Sequence, residues 1–332
     1  RVLASPTVAS KEWVYSQYDY MVRTSTYVPP GSDAAVAGVP GTRKAIAMTT
    51  DCNGRYVYLD PEVGGKIALA EAARNIVCSG GEPLAITDNL NFGSPEKPES
   101  FWQLEKATDG IAEACRVLGT PVTGGNVSLY NENVNGAIYP TPVIGMVGLV
   151  YDLDHITTQA FKREGDAILL LGETKPELGG SEFQLVIHGV TEGRPPQIDL
   201  EVEKTLQQAV LAAIQQGLVA SAHDLSEGGL AVALAECCIS GKIGAKVDIE
   251  AALRADWMLF SESQSRILLS ASPDKADVLR EHLASRGVPV QVIGTVGGEA
   301  LQVKLNGRTI IETPVTQLEK VWKDAIPCLM NA

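Results

Sequence analysis

The feature that most constrains the fold is residues 67–78, a run in which almost every residue is apolar or small. A helix that is apolar on all sides has to be buried on all sides, so this run predicts a central helix covered by other layers. Its polar members are Glu71, Arg74 and Asn75, and their spacings of three and four residues place them on one face. A polar patch on a buried helix needs a partner, because unpaired polar groups are costly to bury.

Two interpretations of this patch remain open. Glu71 and Arg74 can pair with each other on a solvent-facing edge, which is the commoner arrangement for charges one turn apart on a helix. Alternatively, Glu71 and Asn75 hold a cation, since carboxylate and amide oxygens are ligands of hard metal ions. The second interpretation explains why the patch is polar at all.

The organisation of the chain favours two domains. The sequence has 332 residues and is 45% hydrophobic, which is enough for more than one core. Strand-like and helix-like segments alternate, residues 1–44 indicate a helical lead-in and a loop, and a polar connection follows at residues 151–165. We therefore predict an α/β (α+β) fold with domains at residues 1–153 and 154–332. The chain opens on Arg1 rather than Met, which suggests a piece of a longer protein.

Composition excludes several classes of partner. The net charge of −13 makes binding to nucleic acid or to an acidic membrane surface unfavourable, although Mg2+ can still neutralise the phosphates of a nucleotide. No apolar run reaches the ~18 residues of a membrane span. The six cysteines show no zinc-binding spacing and are interpreted as reduced thiols, which predicts a cytoplasmic protein.

Carboxylates stand at the predicted ends of two strands. Residues 44–50 form an apolar strand that ends at Asp51, and residues 83–87 form a strand that leads to Asp88. Strand ends are common places for ligands in α/β proteins. For residues 51–54 an ordinary Asn-Gly turn is the competing interpretation.

A glycine-rich stretch at residues 120–132 indicates a site for a phosphate and a hard cation. Gly124 and Gly125 let the backbone approach a ligand closely, and successive amides there can form an anion nest. Asn126 offers an amide oxygen to Mg2+, and Ser128 offers a hydroxyl on the same side if the chain is extended. The competing interpretation is a strand end followed by a Gly-Gly-Asn turn.

A second strand-to-helix loop carries Asp224 and Ser226, and its amides can face an anion. The adjacent His223 and Asp224 suggest a catalytic dyad, but neighbours on an extended chain point to opposite faces and no nucleophile motif accompanies them. We therefore reject the dyad. The sequence also lacks the P-loop, dinucleotide, zinc-protease and nucleophile-elbow motifs.

Four of these segments resemble the phosphoribosylformylglycinamidine synthases of purine biosynthesis, in both order and spacing. They are Asp-Cys at 51–52, Thr-Asp-Asn-Leu-Asn-Phe-Gly at 87–93, Gly-Gly-Asn-Val-Ser-Leu-Tyr-Asn-Glu at 124–132 and Ala-His-Asp-Leu-Ser-Glu-Gly-Gly-Leu at 222–230. The resemblance covers nearly the whole chain and is to the C-terminal half of the synthetase subunit. It implies two aminoimidazole ribonucleotide synthetase-like domains with mixed sheets flanked by helices.

The resemblance also implies an activity and its partners. In the family, an ATP-dependent ligase converts formylglycinamide ribonucleotide and glutamine-derived ammonia to formylglycinamidine ribonucleotide, with Mg2+ and ATP/ADP as cofactors. The implied partners are the N-terminal half of the same polypeptide, a glutaminase subunit and a small accessory subunit. The isolated chain can also pair with a second copy of itself.

Site residues follow from the family pattern in two groups. In the shared active site, the resemblance makes Asp88 and Gly125 contacts to ATP, Asn126 a magnesium ligand and Ser128 a contact to the ribonucleotide substrate.

The second group is an auxiliary nucleotide site found in some family members. There the resemblance places Asp51, Glu71, Asn75 and Asp224 around magnesium and Ser226 near the nucleotide. This site would account for the polar patch on the predicted central helix.

One departure limits the expected activity. The catalytic histidines of the family belong to a His-Asn-His-Pro-Ser segment of the N-terminal half, where residues 51–55 of this chain read Asp-Cys-Asn-Gly-Arg. The chain is therefore expected to contain no catalytic residue of its own and to be inactive when isolated. The alternatives are a stand-alone cyclo-ligase or small-molecule kinase, and a non-catalytic structural module that holds ADP and magnesium.

Overall fold

The computed structural model describes residues 1–331, which form two mixed sheets with helices packed on them. The elements of the first part are α1 (Glu12–Tyr15), β1 (Thr26–Val28), β2 (Ala35–Gly38), β3 (Ala45–Asp51), α2 (Gly54–Leu59), α3 (Pro61–Cys78), β4 (Glu82–Asn91), α4 (Pro98–Leu118), β5 (Val122–Ser128), β6 (Glu132–Asn133), β7 (Gly136–Ala137) and β8 (Thr141–Val150). The elements of the second part are β9 (Ala167–Leu171), α5 (Glu182–His188), α6 (Leu200–Gln215), β10 (Ser221–Asp224), α7 (Gly229–Gly241), β11 (Ala245–Ile249), α8 (Ala255–Phe260), β12 (Ile267–Ala271), α9 (Pro273–Ala284), β13 (Val290–Val296), β14 (Ala300–Leu305), β15 (Arg308–Pro314) and α10 (Val315–Met330). Short 3-10 turns occur at Val2–Ala4, Val22–Thr24 and Leu153–His155.

The first sheet has six strands in the order β1-β2-β3-β8-β4-β5. All neighbours are antiparallel except β4 and β5, which run parallel, and β5 is an edge strand. One face packs against α3 and α4 and is buried. The other face exposes the apolar side chains of Ile46, Met48, Leu84 and Val147. A sheet with an apolar open face is incomplete as a layered structure.

The second sheet has seven strands in the order β10-β12-β9-β13-β11-β14-β15. Its central strands are buried on both sides, since Leu169 and Leu171 face the cluster under α6 and α9 while Ile168 and Leu170 face the cluster under α7 and α8. Because helices cover both faces of this strand, residues 167–171 are continuously apolar.

Helix α3 lies between the two sheets and connects them. Asp60 caps its start by accepting a hydrogen bond from Val63 N at 3.2 Å, with Pro61 in the first turn. On one side α3 packs against β3, β8 and α4, and on the other against α6 and β10. A Cβ at Gly110 would lie 2.0 Å from Glu62 O, so α3 and α4 cross in backbone contact. The predicted central, fully buried helix is confirmed.

The structure confirms the fold class and corrects parts of the detailed prediction. Residues 1–44 contain the strands β1 and β2 rather than only a helical lead-in and a loop. The N-terminal segment also packs on the second part of the chain, where Trp322 Nε1 donates to Val8 O at 2.9 Å. Within the described residues no strand crosses 151–165, and the boundary between residues 153 and 154 stays a prediction. No helix in the described part of the chain is long and apolar enough to cross a membrane.

Candidate metal and nucleotide site

Four carboxylates from three separate elements converge beside α3. Asp51 ends β3, Glu71 lies on α3, and Asp224 ends β10. Glu227 follows in the loop between β10 and α7. We call Asp51, Glu71, Asp224 and Glu227 the acidic cluster. It lies where the first sheet, α3 and the second sheet meet, which the chain can build only by bringing distant segments together.

Hydrogen bonding and electrostatics show how close these groups are. Asn75, one turn after Glu71, donates from Nδ2 to Asp51 Oδ2 at 2.7 Å. Burial raises the pKa of Glu71 well above its usual range, and the charges of Asp51, Glu227 and Asp224 raise it further. The four predicted side chains, Asp51, Glu71, Asn75 and Asp224, therefore lie in one region of the fold. Among the described residues, however, no three carboxylates of the acidic cluster have oxygens within 4.8 Å of one another.

The other members of the cluster show the same effect. Burial first, and neighbouring carboxylates second, raise the pKa of Asp51 well above its usual range. The pKa of Asp224 is raised to about 7, mainly by burial and then by Asp33. The pKa of Glu227 is also raised, mainly by burial. A cluster in which every carboxyl resists ionisation favours a cation, which would neutralise the charges it holds.

Arg74 is the nearest cation, but its bonds go elsewhere. Its Nε and Nη2 donate to the two oxygens of Glu203 at 2.9 and 3.1 Å, and Nη2 also donates to Gln264 Oε1 at 2.9 Å. Its Nη1 lies 3.6 Å from Asp224 Oδ2, and both of these atoms are buried without a hydrogen-bond partner among the described residues. The two atoms therefore face each other as an ion pair that is too long for a hydrogen bond, and Asp224 Oδ2 can still accept a ligand.

These contacts overturn one interpretation of the polar patch. Arg74 is fully buried and Glu71 is 5% exposed, so the two do not form a pair on a solvent-facing edge. The reason is that α6 and the loop before β12 cover this face of α3 and supply Glu203 and Gln264 to Arg74. The competing interpretation, a cation held by Glu71 and Asn75, fits the donor set that the structure assembles.

His223 has a supporting position rather than a catalytic one. Its Nδ1 bonds to Asp33 Oδ1 at 2.9 Å and its Nε2 to Glu236 Oε2 at 3.2 Å, whereas Nδ1 lies 3.8 Å from Asp224 Oδ1. Asp33, His223 and Asp224 offer ligand atoms within 4.8 Å of one another. Both ring nitrogens of His223 already contact carboxylates, however, so it orders the loop and does not serve as a metal ligand. Rejection of the His223–Asp224 dyad agrees with this geometry.

A cavity of about 310 Å³ opens beside the acidic cluster and is lined in part by Cys52, Asn53, Arg55 and Glu227. Asn53 accepts hydrogen bonds from the first amides of α2 and donates to Glu227 Oε1 at 3.2 Å. Residues 51–54 are thus a strand end and a helix cap, and the interpretation as an ordinary Asn-Gly turn is wrong. Ser226 lies in the loop next to Glu227 and is half-buried, at the border of this region.

The second predicted region is the edge formed by β4 and β5. Asp88 pairs in register with Gly125, Asn89 with Asn126 and Asn91 with Ser128. Asp88 is not at a strand end, because β4 continues to Asn91 between two hydrogen-bonded neighbours.

The glycine-rich stretch is likewise extended, so it forms no anion nest. A Cβ at Gly125 would lie 2.0 Å from Asp88 Oδ1, and this close packing requires glycine. Strand alternation divides the predicted residues between two faces of the edge. Asp88 and Gly125 share one face, and partial burial raises the pKa of Asp88. Asn126 and Ser128 lie on the other face, where Asn126 Nδ2 donates to Asn89 Oδ1 at 3.1 Å.

The structure adds two residues that sequence reasoning missed. Glu227 could have been found, because it lies three positions after Asp224 in the same loop. Asp33 could not, since its contact with His223 spans 190 residues and depends on the packing of the N-terminal segment.

Two family models match the chain, the N-terminal domain of AIR synthase related protein over residues 31–150 and the C-terminal domain over residues 163–306. The chain therefore belongs to the AIR synthase-related protein family. It is 55% identical over its 332 residues to the phosphoribosylformylglycinamidine synthase subunit PurL of Alkaliphilus metalliredigens, covering 100% of this chain and 45% of that protein. The chain spans less than half the length of this relative. The resemblance identified in the sequence motifs is confirmed.

Solved structures share the fold. T. maritima PurL complexed with FGAR has a TM-score of 0.76 and 24% identity, over 92% of this chain and 50% of that one. T. maritima PurL complexed with ATP has a TM-score of 0.72 and 23% identity, over 92% of this chain and 49% of that one. At these identities the structures establish the fold alone.

Proposed function

We propose that this chain is the C-terminal half of an ATP-dependent ligase that makes formylglycinamidine ribonucleotide from formylglycinamide ribonucleotide and glutamine-derived ammonia. The supporting comparison is the 55% identity to PurL over the whole chain. The structural observation that carries the proposal is the acidic cluster, in which Glu71 and Asp224 are buried and Asp51 and Glu227 half-buried, a set of carboxylates that suits a magnesium-bound nucleotide. The complexes of T. maritima PurL with FGAR and with ATP are consistent with these ligands.

We assign the acidic cluster to an auxiliary Mg2+–nucleotide site. Asp51, Glu71, Asn75 and Asp224 would hold the metal, which supplies the positive charge that the buried carboxylates lack. Ser226 would lie near the nucleotide. The cavity beside Asn53 and Glu227 offers space for the rest of the ligand.

The edge of the first sheet would contribute to a shared active site. Asp88 and Gly125 would contact ATP, Asn126 would bind Mg2+ and Ser128 would contact the ribonucleotide. Because these residues are exposed or half-buried and include only one carboxylate, they need a second surface to complete the site.

That second surface belongs to the proposed N-terminal half of the polypeptide. The open apolar face of the first sheet, with Ile46, Met48, Leu84 and Val147, fits a like domain, and in the isolated chain a second copy could take that place. Glutaminase and small accessory subunits are further proposed partners, and a solved T. maritima assembly is described as PurLQS. We also place the protein in the cytoplasm, which agrees with six free cysteines, and we retain domains at residues 1–153 and 154–332.

Activity of separated halves tests the proposal. The chain alone should give no formylglycinamidine ribonucleotide above background, since it lacks the histidine segment of the N-terminal half, and adding that half should restore synthesis. Ammonia should replace glutamine as nitrogen source, so the glutaminase subunit is not needed for the assay. If the chain alone synthesised the product at the rate of the mixture, the proposed requirement for the N-terminal half would be contradicted and a stand-alone ligase favoured. Absence of synthesis in a correctly assembled mixture would contradict the activity itself.

A further inference from the structure

A cavity of about 570 Å³, larger than the one beside the acidic cluster, lies in the second part of the chain and has no role in the proposed reaction. It is bounded by the end of β9, the start of α6, the loop before β12 and the turn between α9 and β13. Small-molecule sites commonly measure about 300–1,000 Å³. The cavity is therefore large enough for a nucleoside phosphate.

The floor of the cavity is polar, buried and strained. Gln264 and Ser265 are 6% and 8% exposed. Gln264 Oε1 accepts from Arg74 Nη2 at 2.9 Å and Nε2 donates one N–H to Glu262 O at 3.1 Å, so the amide is fixed in place with its second N–H without a partner among the described residues. Ser265 Oγ donates to Glu203 Oε2 at 2.6 Å, which leaves the backbone of Ser265 to contact a ligand. Ser265 has a φ of 58°, a left-handed conformation that costs energy for any residue but glycine. It packs on Gly172, where a Cβ would lie 2.1 Å from Ser265 O.

The walls and the rim differ in character. Leu206 and Val288 are buried and, with Val202, form an apolar wall that suits the faces of a planar ring. The rim carries both signs of charge. Lys175 and Arg286 supply cations, while Glu173, Asp199 and Glu201 supply carboxylates. Asp199 caps α6 by accepting from Glu201 N and Val202 N at 2.9 and 3.2 Å, so part of its charge is balanced by the helix start.

We propose that this cavity is a binding site for a purine nucleoside monophosphate that does not require a metal ion. The ring packs against the apolar wall with its polar edge towards Gln264 and the backbone of Ser265. The carboxylates of Glu173 and Glu201 accept hydrogen bonds from the ribose hydroxyls, and Lys175 and Arg286 bind the phosphate. Two cations suit one phosphate group better than a triphosphate, because three carboxylates line the same cavity and would repel the additional negative charge.

Direct binding of AMP to the 332-residue chain tests the proposal, measured by calorimetry or equilibrium dialysis in EDTA. EDTA removes Mg2+ and so prevents binding at the proposed Mg2+–nucleotide site. This experiment is therefore independent of the proposed function. The wild-type chain should bind AMP saturably and adenosine at least about tenfold more weakly. Glu71→Gln should bind AMP as the wild type does.

A matched pair of variants locates the site. Val202→Trp adds bulk to the cavity wall at a residue that is 50% exposed, whereas Val278→Trp makes the same change on α9 outside the cavity at a residue that is 52% exposed. The first should weaken AMP binding at least about tenfold and the second should leave it unchanged. Lys175→Glu should reduce the affinity for AMP to that for adenosine.

Several results would overturn the proposal. Absence of saturable AMP binding in EDTA, equal affinity for AMP and adenosine, or AMP binding that survives Val202→Trp each contradicts it. Loss of AMP binding in Glu71→Gln would place the ligand at the acidic cluster instead. Circular dichroism of each variant separates lost binding from lost folding, and a Val202→Trp chain that fails to fold is replaced by Val202→Phe.

Discussion

The acidic cluster and the β4–β5 edge are both proposed to bind Mg2+ and a nucleotide, but their side chains lie in opposite environments. In the cluster, burial and neighbouring carboxylates raise the pKa values of the carboxyl groups, and Arg74 and Asp224 keep one polar atom each without a hydrogen-bond partner in the part of the chain that the structure describes. At the edge, mostly uncharged side chains lie exposed or half-buried and hydrogen-bond to each other. The cluster holds more carboxylates than cations, whereas the edge lacks a covering surface. In the proposed function, a metal ion would neutralise the cluster and the N-terminal half would cover the edge.

The largest expected effect concerns the buried ion pair next to the cluster. Arg74→Met should lower the free energy of unfolding by about 3–5 kcal/mol, because it leaves the fully buried Glu203 carboxylate without its partner. Urea unfolding measures the change. The matched control is Lys66→Met, which breaks a partly exposed pair with Glu62 and Glu113 and should cost about 0–1 kcal/mol. Equal losses in the two variants would show that the Arg74 network contributes no more than a surface pair.

A neutral substitution inside the cluster should have two opposite effects. Glu71→Gln should stabilise the metal-free chain at about pH 8, by about 1.4 kcal/mol for each unit by which burial and like charge raise the Glu71 pKa. It should also reduce the increase in Tm that Mg2+ and ADP produce. Thermal melts with and without Mg2+–ADP measure both effects. Glu113→Gln, on the exposed surface of α4, removes one partner of Lys66 and should lower the stability by no more than about 1 kcal/mol without changing the effect of Mg2+–ADP. A Glu71→Gln chain that behaves like it would contradict the electrostatic account.

The same shifts predict a pH dependence. Burial and neighbouring carboxylates raise the pKa of Asp224 from 3.8 to about 7 in the folded chain. The folded state therefore holds a proton that the unfolded state has lost between these pH values, and stability without metal falls as pH rises through this window. Mg2+ competes with that proton. The gain in Tm from Mg2+–ADP should be small at about pH 5 and larger at about pH 8, and equal gains would contradict the assignment.

The smallest effect on stability is expected at the edge. Asn126→Ala removes an exposed side chain with one hydrogen bond to Asn89, so the free energy of unfolding should change by no more than about 0.5 kcal/mol. Synthesis by the mixture of both halves should nevertheless fall sharply, since Asn126 is the proposed metal ligand. Asn135→Ala, in the turn between β6 and β7, is the control. Full activity of the Asn126→Ala mixture would remove this residue from the proposed site.

The sequence alone predicted the structure correctly where local patterns of residues determine it. Apolar character on all sides predicted the burial of α3, and helical spacing placed Glu71 and Asn75 on one face. The sequence alone did not predict features that depend on contacts between distant segments. Strand β4 extends past Asp88 because β5 and β8 pair with it on both sides. The partners of Arg74 come from α6 and from the loop before β12, which no local pattern connects to α3.

The central claim is that the acidic cluster binds Mg2+ and a nucleotide within this chain, without the proposed N-terminal half of the polypeptide. Calorimetric titration of the isolated chain with ADP, in the presence and absence of Mg2+, tests it most directly. We expect saturable, Mg2+-dependent binding that Glu71→Gln and Asp224→Asn weaken at least about tenfold and Asn126→Ala leaves unchanged. Binding that is absent, independent of Mg2+, or lost in Asn126→Ala but retained in Glu71→Gln would contradict the account.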